Sequence, residues 1–258
     1  TATVIQKVAK AYANYEFHAI YHLLLRYATV DLSNTYLNLL KDRLYCSGRD
    51  DDARRASQSA IYSVLQSLVR MMAPVLAFTA DEVWSHMPRH EGDPENIHMA
   101  HFVHVDPVWS SKVESWADAE LEARWEVLLN VRTEVQRHVD LRRPKKRGER
   151  LPGQIGSTEE AAVTVIAEGE TMQLLQEFAA RLPEYFIVSS VDLVVGTPVE
   201  VGPDVQRAAP VEIQIEPSEQ DKCPRCWRHS DDVGSVSGAP ELCGRCGNVI
   251  ALGAGADS

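Results

Sequence analysis

AIYSVLQSLVRMMAP, residues 60–74, sets the reading of the N-terminal part of this chain. Ile61, Val64, Leu65, Leu68 and Met72 recur at spacings of three and four, the period of a helix with one apolar stripe. Pro74 ends or kinks it, because proline has no N–H to donate to the carbonyl four residues back.

The same period continues on both sides. Upstream, Val4, Val8, Ala11, Tyr12 and Tyr15 mark one helix, and Phe17, Ile20, Tyr21 and Leu24 a second over roughly Glu16–Ala28. Asp31 or Ser33 is placed to cap a third through Tyr36, Leu37, Leu40 and Leu44. GRDDD, at Gly48–Asp52, breaks that helix and supplies acids to the next N-terminus, where the helix dipole favours them. Downstream, Thr79–Ala80–Asp81–Glu82 has capping-box spacing and predicts a short helix to Met87. Residues 88–114 hold three prolines and no clear period, which reads as a long connection. Ser115 then caps a helix with apolar positions Leu121, Trp125, Leu128, Val131, Val135 and Val139, ended by Pro144 and Gly148.

After Pro152 the pattern changes. Ala162–Ala167 and Phe186–Val195 are rich in β-branched residues, with a helical segment near Glu170–Arg181 between them, and Val211–Ile215 alternates like a further strand. The expected fold is mainly α: an antiparallel helical bundle over 1–147, a small α+β module over 148–221, and a zinc-ribbon-like tail over 222–258 ending in a flexible LGAGADS. The chain has 258 residues, 45% of them apolar, and no apolar run of the ~20 residues that span a membrane. It starts TATVIQKVAKAY, without Met and already in helical period, and reads as a C-terminal piece of a longer protein.

The net charge of -11 argues against a simple nucleic-acid binder until it is divided along the chain. Residues 151–221 carry 2 cations against 13 acids, whereas 1–88 carry 9 and 8, 89–150 carry 11 and 12, and 222–258 carry 4 and 4. The acidity therefore belongs to the α+β module, the part least suited to RNA.

CPRC at 223–226 and CGRC at 243–246 are the strongest chemical signal. Two residues between cysteines let both thiolates turn inward on one knuckle, and two knuckles complete a tetrahedron at about 2.3 Å from a zinc ion. Cys223, Cys226, Cys243 and Cys246 are thus the candidate ligands of one structural zinc, since four thiolates leave no open position. Redox CxxC chemistry is the alternative. Gly244 and Gly247 relieve the second knuckle, and Cys46, without a partner motif, reads as a small core residue. Trp227, Arg225 and Arg228 beside the first knuckle combine a stacking ring with phosphate-seeking cations, against the plainer reading that Trp227 packs the metal module. Arg142, Arg143, Lys145, Lys146, Arg147 and Arg150 form a basic run that is either a solvated loop or a phosphate-contacting segment. His98, His101 and His104 read as loop residues, and no phosphate-binding loop, nucleophile elbow or HExxH occurs, so the chain shows no catalytic residues.

YEFHAIYHLLLRYATVDLSNTYLNLLKDRLY (Tyr15–Tyr45) resembles the helical anticodon-binding domain of the bacterial-type isoleucyl-tRNA synthetase family, of the class I aminoacyl-tRNA synthetases. ARRASQSAIYSVLQSLVRMMAPVLAFTADEVW (Ala53–Trp84) and WEVLLNVRTEVQRHVDLRR (Trp125–Arg143) continue the likeness, and CPRCWRHS with LCGRC resembles that family's C-terminal zinc finger, a type also found in some DNA-repair glycosylases. IGSTEEA at Ile155–Ala161, with RRPKKRGERLPGQ before it, departs from the family pattern, so the likeness assigns no RNA contact within Arg142–Arg150. HIGH and KMSKS signatures are absent. The resemblance implies a cytoplasmic, monomeric ATP-dependent isoleucine ligase whose catalytic body lies outside this chain, with these residues holding isoleucine tRNA. A zinc-ribbon DNA-binding protein and a non-catalytic interaction module are the competing classes.

Overall fold

Phe17–Cys46 contains no glycine and no proline, so nothing in it forces a helix to end. In the computed structural model, which describes residues 1–145, 149–199 and 206–254, this stretch is one continuous helical run. After α1 (Ala2–Ala13) come α2 (Phe17–Arg26), a π-helical segment (Tyr27–Leu37) and α3 (Asn38–Cys46). The cap expected at Asp31 or Ser33 is therefore corrected: both lie inside the π-helical part. That segment is rich in weak helix formers, and the Thr29 and Thr35 hydroxyls donate to the carbonyls of Leu25 and Val30 at 2.8 and 3.1 Å. Competition of this kind loosens the helix without breaking it.

α4 (Asp52–Met72) starts where the acidic turn predicts, with the Asp51 carboxylate accepting from the Arg54 N–H at 2.8 Å. Its expected apolar stripe is only half-buried, and Ser57, Gln66, Ser67 and Arg70 are buried instead. The reason is that α4 is covered on more than one side: Met71 packs with Ile5 and Val8 of α1, while Val69 packs with Ala80 and Trp84 of α5 (Ala77–His86). Ser57 and Ser67 satisfy their hydroxyls on the carbonyls of Ala53 and Ser63, at 2.7 and 2.9 Å. Thr79 lies within α5 and does not cap it. The stretch read as connection contains a 3-10 turn (Ile97–Met99) and α6 (Pro107–Glu114), whose start is held by the Asp106 carboxylate accepting from the Trp109 N–H at 3.2 Å. The other Asp106 oxygen lies 3.6 Å from the buried Arg70, whose guanidinium stands over the rings of Trp84 and Trp109 at 5.8 and 5.0 Å.

The chain divides into two compact units, one of Thr1–Leu44 with Asp50–Asp118, the other of Tyr45–Arg49 with Ala119 onward. α7 (Ala119–Arg142), read as the last helix of the bundle and as capped by Ser115, begins four residues later and belongs to the second unit. Its Leu128, Val131, Val135 and Val139 are buried in the same core as the sheet. That sheet has the order β2–β1–β3, with β1 (Ala161–Ala167) central, β2 (Ser190–Val195) parallel to it and β3 (Glu212–Pro217) antiparallel. Val163 faces Val191 on one side and Ile215 on the other. α8 (Gly169–Glu177) and α9 (Leu182–Phe186) link β1 to β2. The strand expected to start at Phe186 starts at Ser190, because Pro183 suits a helical first turn and Ile187, at φ +60°, ends that turn left-handed.

Truncating Leu128 to Ala removes a side chain from the α7–sheet core and should cost about 2–5 kcal/mol in denaturant unfolding of the second unit. A loss below about 1 kcal/mol would contradict burial of this face.

Candidate metal centre and nucleic-acid surface

A minimal hairpin carries the first knuckle: β4 (Asp221–Lys222) pairs antiparallel with β5 (His229–Ser230). Within it the Cys223 N–H donates to the Arg228 carbonyl at 2.9 Å and the Trp227 N–H to the Cys223 carbonyl at 2.8 Å. The second knuckle opens α10 (Gly244–Ala254), where the Gly247 N–H donates to the Cys243 carbonyl at 2.8 Å. Neither glycine there has positive φ; each leaves room for a neighbouring side chain. A Cβ on Gly247 would stand 2.8 Å from Val236, and one on Gly244 2.5 Å from the Asp232 carboxylate.

The Sγ atoms of Cys223, Cys226, Cys243 and Cys246 lie within 4.8 Å of one another, and those of Cys226 and Cys243 are 3.8 Å apart. Thiolates at ~2.3 Å from a tetrahedral zinc ion are ~3.8 Å apart, so the donor set fits such an ion. Three of the four cysteines are buried. Burial opposes ionisation of Cys223, but the backbone amides of Cys243, Cys226 and Arg225 outweigh it and bring the thiol down to about 6. Cys226 and Cys243 are pushed up, first by burial and then by the neighbouring sulfurs. The Cys223 thiolate therefore forms readily, whereas Cys226 and Cys243 favour the thiol.

Arg225 points inward. Its guanidinium donates to the carbonyls of Cys46 and Tyr45 at 2.6 and 3.2 Å and to the Cys246 sulfur at 3.7 Å. The Cys46 thiol donates back to the Arg225 carbonyl at 3.7 Å. Cys46 is buried as expected, but its neighbours are the cysteines of the metal centre. These contacts give Arg225 a structural role in addition to the RNA contact expected of it. Tyr45, which sequence reasoning passed over, is held by that contact and is 75% exposed. Only its apolar type in a helical run was visible beforehand, and that points to a core.

Trp227 is 61% exposed and has φ +68°. A left-handed conformation costs a non-glycine residue about 1–2 kcal/mol, so the knuckle's hydrogen bonds hold the Trp227 backbone where it would not settle alone. Arg228 is half-buried. Within the basic run, Arg143 donates to the Thr158 hydroxyl at 2.8 Å and pairs with Asp140 at 3.3 Å, and Arg150 pairs with Glu160 at 2.7 Å. Arg142 and Lys145 are exposed, while Lys146 and Arg147 lie outside the described residues. The acid of the Arg150 pair shows the effect: burial works to raise Glu160, but the Gly156 N–H and Arg150 outweigh it and hold its carboxyl below the usual range.

Residues 1–155 match the anticodon-binding domain of tRNA ligase, and residues 220–250 match the zinc finger found in FPG and IleRS. The chain therefore belongs to the anticodon-binding family of tRNA ligases. It is 38% identical over 245 residues to an isoleucine–tRNA ligase of Syntrophotalea carbinolica, covering 95% of this chain and 24% of that protein. Similar ligases of Geobacter sulfurreducens (38% over 249 residues, 95% of this chain and 25% of the ligase) and Haemophilus influenzae (strain 86-028NP; 35% over 251 residues, 96% and 25%) give the same picture. The chain spans about a quarter of the length of these relatives.

Arg225→Ala should lower zinc affinity about 10–100-fold, since partners of metal ligands contribute on that scale. Cys223→Ser should abolish stoichiometric zinc and unfold the tail. Zinc content by metal analysis after dialysis checks both, and full retention by Cys223→Ser would refute the four-sulfur centre.

Proposed function

We propose that this chain is the RNA-holding part of an isoleucine–tRNA ligase. The observation that carries the proposal is the anticodon-binding match over residues 1–155, on the same chain as a four-cysteine finger that presents Trp227 outward. The helices of the first unit act as an antiparallel bundle that receives the anticodon stem and loop; α7 with the sheet is a supporting module; the finger closes over unstacked anticodon bases. RNA sequence is read chiefly on such splayed bases, by stacking and by hydrogen bonds to their edges.

Cys223, Cys226, Cys243 and Cys246 hold one zinc ion, which supplies folding energy and no reaction chemistry. Trp227 stacks on an unpaired base. Arg142, Arg143, Lys145, Lys146, Arg225 and Arg228 contact phosphate or base edges, and Arg143 and Arg225 also hold backbone and side chains in place. The ATP-dependent joining of isoleucine to tRNA belongs to a catalytic body outside these residues. The whole acts in the cytoplasm as a monomer; no helix among the described residues is long and apolar enough to cross a membrane.

Titration of the zinc-loaded chain with an isoleucine-tRNA transcript tests this. Trp227→Ala should weaken binding about tenfold or more, given ~1–3 kcal/mol per stacked base. Replacing Arg142 and Lys145 by Ala should lower the salt slope of binding by somewhat under one unit per contact. Unchanged affinity in Trp227→Ala would refute its stacking role, and a preference for duplex DNA over tRNA would favour the reading suggested by the finger's likeness to FPG.

A further inference from the structure

The sheet of the second unit ends on β3, which pairs with β1 and, among the described residues, with no other strand. Such an edge carries a row of backbone N–H and C=O groups with no partner in the ladder. α7 supplies a second wall beside it: His138, Leu141 and Arg142, with the four consecutive residues 213–216, line a groove of about 290 Å³. Side chains alternate between faces along a strand, so a groove that touches four residues in a row follows the open edge. Leu141 is 73% exposed there, an apolar side chain that the fold leaves uncovered. The His138 ring beside it is fixed by its Nδ1, which donates to the Glu134 carbonyl at 2.9 Å.

The two faces of β3 differ. Ile213 and Ile215 are buried in the same core as the apolar face of α7, whereas on the opposite face Gln214 and Glu216 are exposed and Glu212 is half-buried. Glu212 keeps its charge: the Gln214 amide at 3.0 Å and the Val199 N–H at 3.1 Å donate to its carboxylate and hold it below the usual range. Glu212 and Glu216 thus stand four residues apart on one face, roughly 13 Å at ~3.3 Å per residue. Arg142 belongs to α7, on the other side of the sheet from these acids. The acids decide what can pair here. A second copy pairing antiparallel through residues 212–216 would set Glu212 of each copy opposite Glu216 of the other, and like charges directly opposite destabilise a strand pair. A strand with cations at those two positions reverses the sign of both contacts. The surrounding residues 151–221, with 2 cations against 13 acids, favour the same sign of partner.

We propose that the β3 edge and the α7 groove bind an extended segment of a basic partner protein, in which two cations four residues apart flank two apolar side chains. The cations lie opposite Glu212 and Glu216, the central residue lies opposite Gln214, and the apolar pair points to the α7 side, over His138 and Leu141. Main-chain hydrogen bonds to β3 extend the sheet and supply affinity, while the alternating side chains supply specificity. The pattern reads the same in both directions, so it suits a parallel or an antiparallel strand. The inference is independent of the RNA-binding reading and uses neither Trp227 nor the metal centre.

The test is fluorescence anisotropy on the zinc-loaded chain with a capped, glycine-flanked peptide Lys-Val-Thr-Val-Lys and its isomer Lys-Lys-Thr-Val-Val, of equal charge and composition. The alternating peptide should bind about tenfold or more tightly than the isomer. Glu216→Lys should weaken it about tenfold, the combined scale of one favourable cross-strand pair lost and one unfavourable pair gained. The peptide Glu-Val-Thr-Val-Lys should restore binding to that variant. Leu141→Ser should weaken the alternating peptide several-fold. Both substitutions are at exposed positions, and thermal melting checks that the variants fold. Equal binding of the two isomers overturns the proposal, because attraction to an acidic surface alone would explain it. Unchanged affinity in Glu216→Lys or in Leu141→Ser overturns it as well, and so does absence of saturable binding. Self-association of the chain that Leu141→Ser abolishes would assign the groove to a second copy and overturn the basic partner.

Discussion

Four sulfur atoms within 4.8 Å of one another cannot all carry charge unless a cation lies among them. The C-terminal tail depends on that constraint, because it has little else to fold around: its buried cluster consists of cysteines, with Val233 and Leu242 packed at the edge. Bringing the sulfurs together fixes both knuckles. The first knuckle then sets Trp227 in its left-handed turn with the indole outward, and directs Arg225 inward. Arg225 in turn joins a metal-centre sulfur to the carbonyls of Tyr45 and Cys46. The centre is therefore more than a local staple. Through one guanidinium it fixes residues nearly 180 positions earlier in the chain.

Much of this was legible in the sequence because the signals are local. Paired CxxC motifs reveal thiolate geometry without any knowledge of the rest, and Gly48–Asp52 and Pro74 mark the limits of α4 correctly. What could not be read depends on partners distant in sequence. The apolar stripe of α7 was visible, but a stripe does not name what covers it, and the cover is the sheet. The protein partners of Arg225 and Arg143, which are carbonyls, a hydroxyl and a carboxylate, could not be read from their type. The continuous run from Phe17 to Cys46 was divided because Asp31 and Ser33 are favoured caps, and a cap residue inside a π-helical turn carries the same letter. Thr79 misled in the same way: capping-box spacing recurs inside helices.

The distribution of charge acquires a structural meaning. The acidic stretch 151–221 contains the sheet and its two connecting helices, whereas the exposed cations Arg142 and Lys145 and the indole of Trp227 lie outside it in sequence. An acidic total is compatible with an RNA-binding surface when the acids and the binding groups occupy different segments.

The central claim is that these residues read the anticodon region of isoleucine tRNA. Equilibrium titration of the zinc-loaded chain with that tRNA, and with the same transcript carrying a different anticodon, tests it most directly. The account predicts tighter binding of the authentic anticodon by about tenfold or more, the scale of one lost base-stacking contact. Equal affinity for the two transcripts would contradict it.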